Sequence, residues 1–277
     1  MVNCFVIGDM GKGTNDQLNV AKMMKRLYKK HKISFVLGVG DNIYPNGCNS
    51  IKDNLFHDNF EKMYENLPND RWYMCLGNHD YGYEQTKLGL IDNSKYQIDY
   101  TKYSKKWYMP SKYYSFAKGP AEFFYLDTNF DRLSESVIQH QLKIMKNKLD
   151  KSQQKFKVVV GHHTWRSIAG HGNAEHRLEV FLNDLFKDTK PHIYMCGHDH
   201  CKSIMIKDGI TLVISGNGGE YYDDPDVDMS NMTDCQLNYF SPSLGVAMLK
   251  INNNSIGIDF YNDGGFKEYH HLVKPTN

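Results

Sequence analysis

Five short segments of the chain carry side chains that bind metal ions well. They are Gly8-Asp9-Met10-Gly11, Gly40-Asp41-Asn42-Ile43-Tyr44, Gly77-Asn78-His79-Asp80, Gly161-His162-His163 and Gly197-His198-Asp199-His200. In each, glycine directly precedes Asp, Asn or His, and each follows an apolar run that reads as a buried strand. Glycine lets a backbone turn sharply and approach its neighbours closely. Ligand sites gather at the carboxyl ends of strands in α/β folds. A lone Gly-Asp is usually a tight turn, but five such ends in one chain form a joint pattern. Carboxylate and amide oxygens suit harder ions, and imidazole suits iron, zinc and other transition ions. So many converging donors exceed the needs of one ion, and two metals sharing a bridging carboxylate fit better.

The elements that must position these residues are legible from the hydrophobic pattern. Residues 2–7, 33–39, 71–76, 112–117, 122–127, 156–160 and 192–196 read as strands. So do 203–207, 210–215, 244–251, 255–261 and 266–273. Helices are expected over 16–32, 54–66, 134–150 and 174–187, where apolar residues recur at helical spacing. The stretch 81–111 is polar and aromatic without a clear period and reads as a long loop. Strands alternate with helices early and crowd together late, which predicts an α/β sandwich of mixed sheets with flanking helices. No repeat or low-complexity linker divides residues 1–277, so one domain is expected.

Composition excludes several function classes. The 277 residues carry 33 Lys+Arg against 32 Asp+Glu, a net charge of +1. That balance argues against binding to nucleic acid or an anionic membrane through a global field. With 40% apolar residues the chain can build a large core, and no run of about 18 apolar residues predicts a membrane span. The basic run from Lys22 to Lys32 reads as a solvated helix face, and the acidic run 223–228 as a surface loop. The six cysteines show no CxxC pair and read as buried free thiols. No signal peptide is visible, so an intracellular, cytoplasmic location is expected. The 13 histidines are the odd count and point back to metal binding.

The combined set Asp9-x-Gly11, Gly40-Asp-x-x-Tyr44, Gly77-Asn-His79, Gly161-His162 and Gly197-His-x-His200 resembles the ordered blocks of the calcineurin-like metallophosphoesterases. Tyr44 narrows the resemblance to the purple acid phosphatases of the small, tartrate-resistant type. Gly161 to Gly172, with a second histidine nine residues after His162, is similar to a loop of that family. The resemblance implies a four-layer αββα sandwich of two mixed sheets. It also implies a phosphatase that hydrolyses phosphate monoesters through attack by a metal-bound hydroxide. By the same resemblance Asp9, Tyr44 and His200 would bind Fe(III). Asn78, His162 and His198 would bind a divalent iron, zinc or manganese ion. Asp41 would bridge the two, and His79 and His171 would face the substrate phosphate. Phenolate and carboxylate suit a trivalent ion, whereas amide and imidazole suit a divalent one. His198 and His200 alternate along an extended segment, so a local bend must bring both to the site.

The chain departs from the family where His163-Thr164-Trp165 replaces an aromatic residue followed by proline, a change expected at the pocket wall. Arg132 and His176 fall near positions where secreted relatives carry a disulfide, and 128–137 is shorter than their exposed loop. The substrate is expected to be a phosphorylated small molecule or phosphoprotein, selected by loops around 81–111 and 217–240. The alternatives are a phosphodiesterase or protein phosphatase on the same fold, or a non-catalytic scaffold. The segment Gly40–Gly47 lacks the Asp-Arg-Gly continuation of the serine/threonine phosphatases, and a scaffold would be expected to have lost ligands.

Overall fold

The computed structural model describes residues 1–67, 71–86, 89–222 and 226–275. Two mixed sheets of seven strands each lie at its centre. The first runs, edge to edge, through Lys267–Val273, Ile256–Asn262, Gly245–Ile251, Val2–Ile7, Ile33–Gly38, Trp72–Tyr73 and Trp107–Tyr108. The second runs through Gln236–Ser241, Lys202–Lys207, Ile210–Ser215, Ile193–Cys196, Phe156–Val160, Ala121–Tyr125 and Tyr114–Lys118. Parallel pairing is confined to consecutive neighbours from Val2–Ile7 to Trp107–Tyr108 in one sheet, and from Ile210–Ser215 to Ala121–Tyr125 in the other. Strands buried on both faces read as near-continuous apolar runs, as in Cys4 to Ile7 of the first strand and Leu212 to Ile214 of Ile210–Ser215.

Helices cover the sheets as the expected layering requires. Asn15–Lys30 buries Val20, Met23, Met24 and Leu27 in the same core as the first sheet and leaves Lys22, Lys29 and Lys30 exposed. Thr14 caps its start by accepting from the Gln17 N–H. Glu135–Lys151 and His176–Thr189 pack Ile138, Met145, Leu149, Leu182 and Leu185 against the second sheet in a separate core. Between the sheets the contacts are aromatic. Phe123 lies 5.6 Å from Phe35, edge to face, and Tyr125 Oη donates to Tyr73 O at 2.8 Å.

Four expectations need correction. The third strand spans only Trp72–Tyr73 rather than 71–76, because only these two residues align with Val36 and Leu37 on one side and with Trp107 and Tyr108 on the other. The stretch 81–111 is not one loop. It holds that strand, the helix Ser94–Tyr100 and a small ribbon of Gln85–Thr86 with Gly89–Leu90. Elements this short have no room to display a period. The edge strand Gln236–Ser241 was not foreseen either, since it is half-exposed and polar in pattern. The helix expected over 54–66 begins as Asn54–Phe56 and widens to a π-turn at His57–Glu61. There the Asn59 side chain donates to Gly11 O at 2.9 Å, tying the turn to the loop after the first strand. Of the acidic run, 223–225 lie outside the described residues and 226–228 are exposed.

The inter-sheet packing can be tested at Phe123, which is fully buried. Phe123→Ala should lower the free energy of unfolding by about 3–5 kcal/mol, read as a lower urea midpoint. A change below about 1 kcal/mol would mean that this ring does not hold the sheets together.

Candidate metal centre

The carboxyl ends of the parallel strands of both sheets meet at one edge of the sandwich. The Gly8 N–H donates across to Ser215 O at 2.8 Å, and Ser215 Oγ donates back to Val6 O at 2.9 Å. The loops that leave these ends touch through their glycines. A Cβ at Gly197 would stand 2.2 Å from Asp9 Oδ2, and one at Gly40 would stand 2.4 Å from His162 Nδ1. Asp9, Asp41 and His198 adopt positive φ values of 55°, 50° and 70°. Such strain in non-glycine residues persists where surrounding structure holds it, and it clusters at functional sites. The turn at His198 is also the bend that the alternation of His198 and His200 demanded.

Asp41 sits at the middle of the site. Its Oδ1 accepts the His79 N–H at 2.9 Å. Its Oδ2 accepts from Tyr44 Oη at 3.0 Å and lies 3.4 Å from His162 Nε2 and 4.0 Å from His79 Nε2. On one side Tyr44 Oη also approaches Asp9 Oδ1 at 3.4 Å and His200 Nε2 at 3.3 Å. On the other side His162 Nε2 meets Asn78 Oδ1 at 2.9 Å. Asp9, Asp41 and His162 present ligand atoms within 4.8 Å of one another. His198 is held by its backbone N–H on Asp9 Oδ2 at 3.0 Å, with its ring 5.0 Å from that of His162. His79 packs its ring 4.2 Å from that of Tyr44. His171 is exposed at the rim and stacks on His198 at 4.0 Å, its N–H donating to Asp199 Oδ1 at 2.9 Å. The structure thus gathers all nine residues singled out from the sequence.

The donor set suits cations. His162 Nδ1 lies 2.9 Å from Val39 O, an acceptor only, so Nδ1 carries a proton and Nε2 faces the two oxygens of Asn78 and Asp41. Outer partners of this kind orient metal-binding histidines. Asn78 is oriented likewise, its amide nitrogen donating to Tyr83 Oη. Burial raises Asp9 above the usual carboxylate range. Burial, then the charges of Asp41 and Asp9, push the Tyr44 phenol well up. Burial works against a charged Asp41, but His162 and His79 hold it below its ordinary value. Burial likewise opposes charge on His162, yet Asp41 and Asp9 lift it to about 10. Such crowding of buried acidic groups is costly unless positive charge balances it.

Several residues that the motifs did not assign complete the site. Asp80 is fully buried. Its carboxylate accepts from Asn42 N, Ile43 N and Gly77 N at 2.9, 3.1 and 2.8 Å, and from Gln97 Nε2 at 2.7 Å. Burial and then Asp41 push it up to about 7. It lies within the Gly-Asn-His-Asp segment, so its position was visible but its task was not. Glu220 lies 3.2 Å from His200 Nδ1 and pairs with Lys12, which stands 4.7 Å over the Tyr44 ring. Tyr222 stacks on His200 at 4.9 Å. Nothing in their spacing links these residues to His200. Trp165, expected at the pocket wall, is buried against Phe186 at 5.1 Å, whereas His163 and Thr164 line the cavity beside the site. Arg132 donates to Gly82 O at 2.6 Å. All six cysteines are free thiols, five of them buried.

A sandwich of two mixed sheets with Asp, Asn and His gathered at the strand ends defines a class. Residues 3–202 match the model of the calcineurin-like phosphoesterase family, and the chain belongs to it, as a metal-dependent phosphoesterase. Within that family it is similar to purple acid phosphatase 4 of Arabidopsis thaliana, 30% identical over 95% of this chain and 81% of that protein. It is also 30% identical to tartrate-resistant acid phosphatase type 5 of Oryctolagus cuniculus, over 76% of this chain and 71% of that one. The resemblance read from the motifs therefore stands. GAP50, the anchor in the inner membrane complex of Plasmodium, superimposes with a TM-score of 0.84 at 21% identity, over 100% of this chain and 89% of that one. At that identity the likeness is one of fold.

Asp80→Ala would leave the Asn42, Ile43 and Gly77 N–H groups buried without their acceptor. The expected loss is on the order of 3 kcal/mol in unfolding free energy, with metal retention down about 10–100-fold. Equilibrium unfolding and metal titration read both. Wild-type metal affinity in this variant would show that Asp80 does not position the site.

Proposed function

We propose that the chain hydrolyses phosphate monoesters at a centre of two metal ions. The observation that carries this reading is the double approach to one oxygen, Asp41 Oδ2, by Tyr44 at 3.0 Å and by His162 at 3.4 Å. One carboxylate oxygen thus belongs to two donor groups. Asp9, Tyr44 and His200 would hold one ion, for which the phenol and carboxylates favour Fe(III). Asn78, His162 and His198 would hold a divalent ion, iron, zinc or manganese, with Asp41 shared between the two. When bound, the ions supply Lewis acidity, offset the phosphate charge and lower the pKa of water.

The chain's own groups do the rest. Val39 O fixes the ring of His162 from behind so that Nε2 faces the centre, while Glu220 stands 3.2 Å from His200 Nδ1 and His200 Nε2 faces Tyr44. His79 is anchored through Nδ1 to Pro45 O at 2.7 Å and turns Nε2 toward Asp41. A second proton on this ring would therefore sit on Nε2, where it can be offered to charge developing on the ester. His171, exposed at the cavity rim, is placed to donate a proton to the departing alkoxide. The side chains of the donor set are all present and oriented, which supports an enzyme over a scaffold.

Metal analysis with a visible spectrum tests the assignment. The purified chain should hold two ions with iron among them and should be purple or pink when oxidised. A colourless protein with full metal content would overturn the Tyr44–Fe(III) pairing. Asp41→Ala should lose both ions and hydrolysis of 4-nitrophenyl phosphate together. Faster turnover of bis(4-nitrophenyl) phosphate than of the monoester by the wild type would favour a diesterase instead.

A further inference from the structure

His163 directly follows His162 but is not one of the donors gathered around Asp41. Its ring lies outside that group, 5.1 Å from the ring of His162 and 4.5 Å from that of His198. It lines a cavity of about 350 Å³ that Asn78, His171 and His198 bound on the side of the metal centre. The walls beyond include Tyr83, Phe130 and Leu178.

The hydrogen bonds around His163 settle where its proton sits. Thr128 Oγ1 accepts the His162 N–H at 3.2 Å and the His163 N–H at 3.1 Å. A hydroxyl has two lone pairs and one proton. Both lone pairs are taken, so the hydroxyl proton must be donated to the third neighbour, His163 Nδ1, at 2.8 Å. Nδ1 is therefore an acceptor, and the ring proton is on Nε2. The hydrogen bonds of His163 among the described residues run through its backbone and Nδ1, and the half-buried ring lines the cavity, which leaves Nε2–H for a ligand there.

We propose that His163 is a substrate-binding residue that sets specificity. Its Nε2–H donates to a neutral acceptor, a hydroxyl or carbonyl, on the organic part of the ester. This rests on the phosphatase reading above. The phosphate itself is not the partner, because Asp41 Oδ2 is approached by His162, His79 and Tyr44, whereas the His163 ring neighbours those of His162 and His198 and lines the cavity with Tyr83, Phe130 and Leu178. A second anionic group is not the partner either. Tyr83, Phe130 and Leu178 give the cavity an apolar wall, and Asp131 and Glu175 add negative charge to its lining. The structure thus points to esters whose organic part is polar and uncharged.

The test compares His163→Phe, which keeps a ring without the donor, with His163→Gln, which restores an N–H near Nε2. The probe is glycerol 2-phosphate, with inhibition by inorganic phosphate and metal content measured alongside. In His163→Phe, kcat/KM for the ester should fall about tenfold, as loss of one hydrogen bond implies. Phosphate inhibition and metal content should stay as in the wild type, and His163→Gln should recover most of the loss. An unchanged kcat/KM in His163→Phe would overturn the assignment. So would a parallel loss of phosphate inhibition or metal, which would mean that the ring only supports His162. Absence of any phosphate ester hydrolysis by the wild type would overturn the phosphatase reading first, and this one with it.

Discussion

Much of this molecule is arranged around one buried carboxylate. Asp41 lies 98% out of solvent, beside Asp9 and above Asp80, where an unbalanced negative charge would be costly. Its two oxygens are used differently. Oδ1 is satisfied by the His79 backbone, and Oδ2 faces Tyr44 and His162 from opposite sides. Placing one oxygen between a phenol from the first sheet's loops and an imidazole from the second requires both sheets to end at the same level. The hydrogen bond from Gly8 to Ser215 and the inter-sheet aromatic packing set that level.

Close approach carries a conformational cost, and the structure concentrates it at the site. Glycines stand wherever a side chain would collide with a donor, as at Gly40 against His162 and Gly197 against Asp9. Asp9, Asp41 and His198 hold left-handed backbone angles that only a surrounding network maintains. Asp80 is the centre of that network on one side, gathering three backbone N–H groups from the loops after two strands. Glu220 and Lys12 do the corresponding work around His200. The donors are therefore fixed by groups outside the donor set, which is how rigid scaffolds preorganise a site.

The likeness to an anchor protein in Plasmodium shows that this sandwich is not tied to one use. What separates a catalytic reading from a structural one is the site, where phenol, carboxylates, amide and imidazoles converge, with His162 Nδ1 and the Asn78 amide nitrogen already engaged on their outer side. The cavity beside His171 adds a second kind of information. His163 and Thr164 give its wall polar groups beside the apolar side chains of Phe130 and Leu178.

The residue types alone marked the five segments that carry the candidate donors. Gly-Asp, Gly-Asn-His and Gly-His segments after apolar runs are local patterns, and strand length and helical period survive in a single chain because both depend on near neighbours. The long strands and helices were legible for that reason. The two-residue strands at 72–73 and 107–108, the helix Ser94–Tyr100 and the edge strand Gln236–Ser241 were not, because pairing partners far along the chain define them. The same distance separates Glu220 from Lys12 by 208 positions and His163 from Thr128 by 35. Which nitrogen of a histidine carries its proton, and which oxygen two donor groups share, follow from such contacts. Only the tertiary structure could decide them, since a hydrogen bond is selected by proximity in space and leaves no periodic trace in sequence.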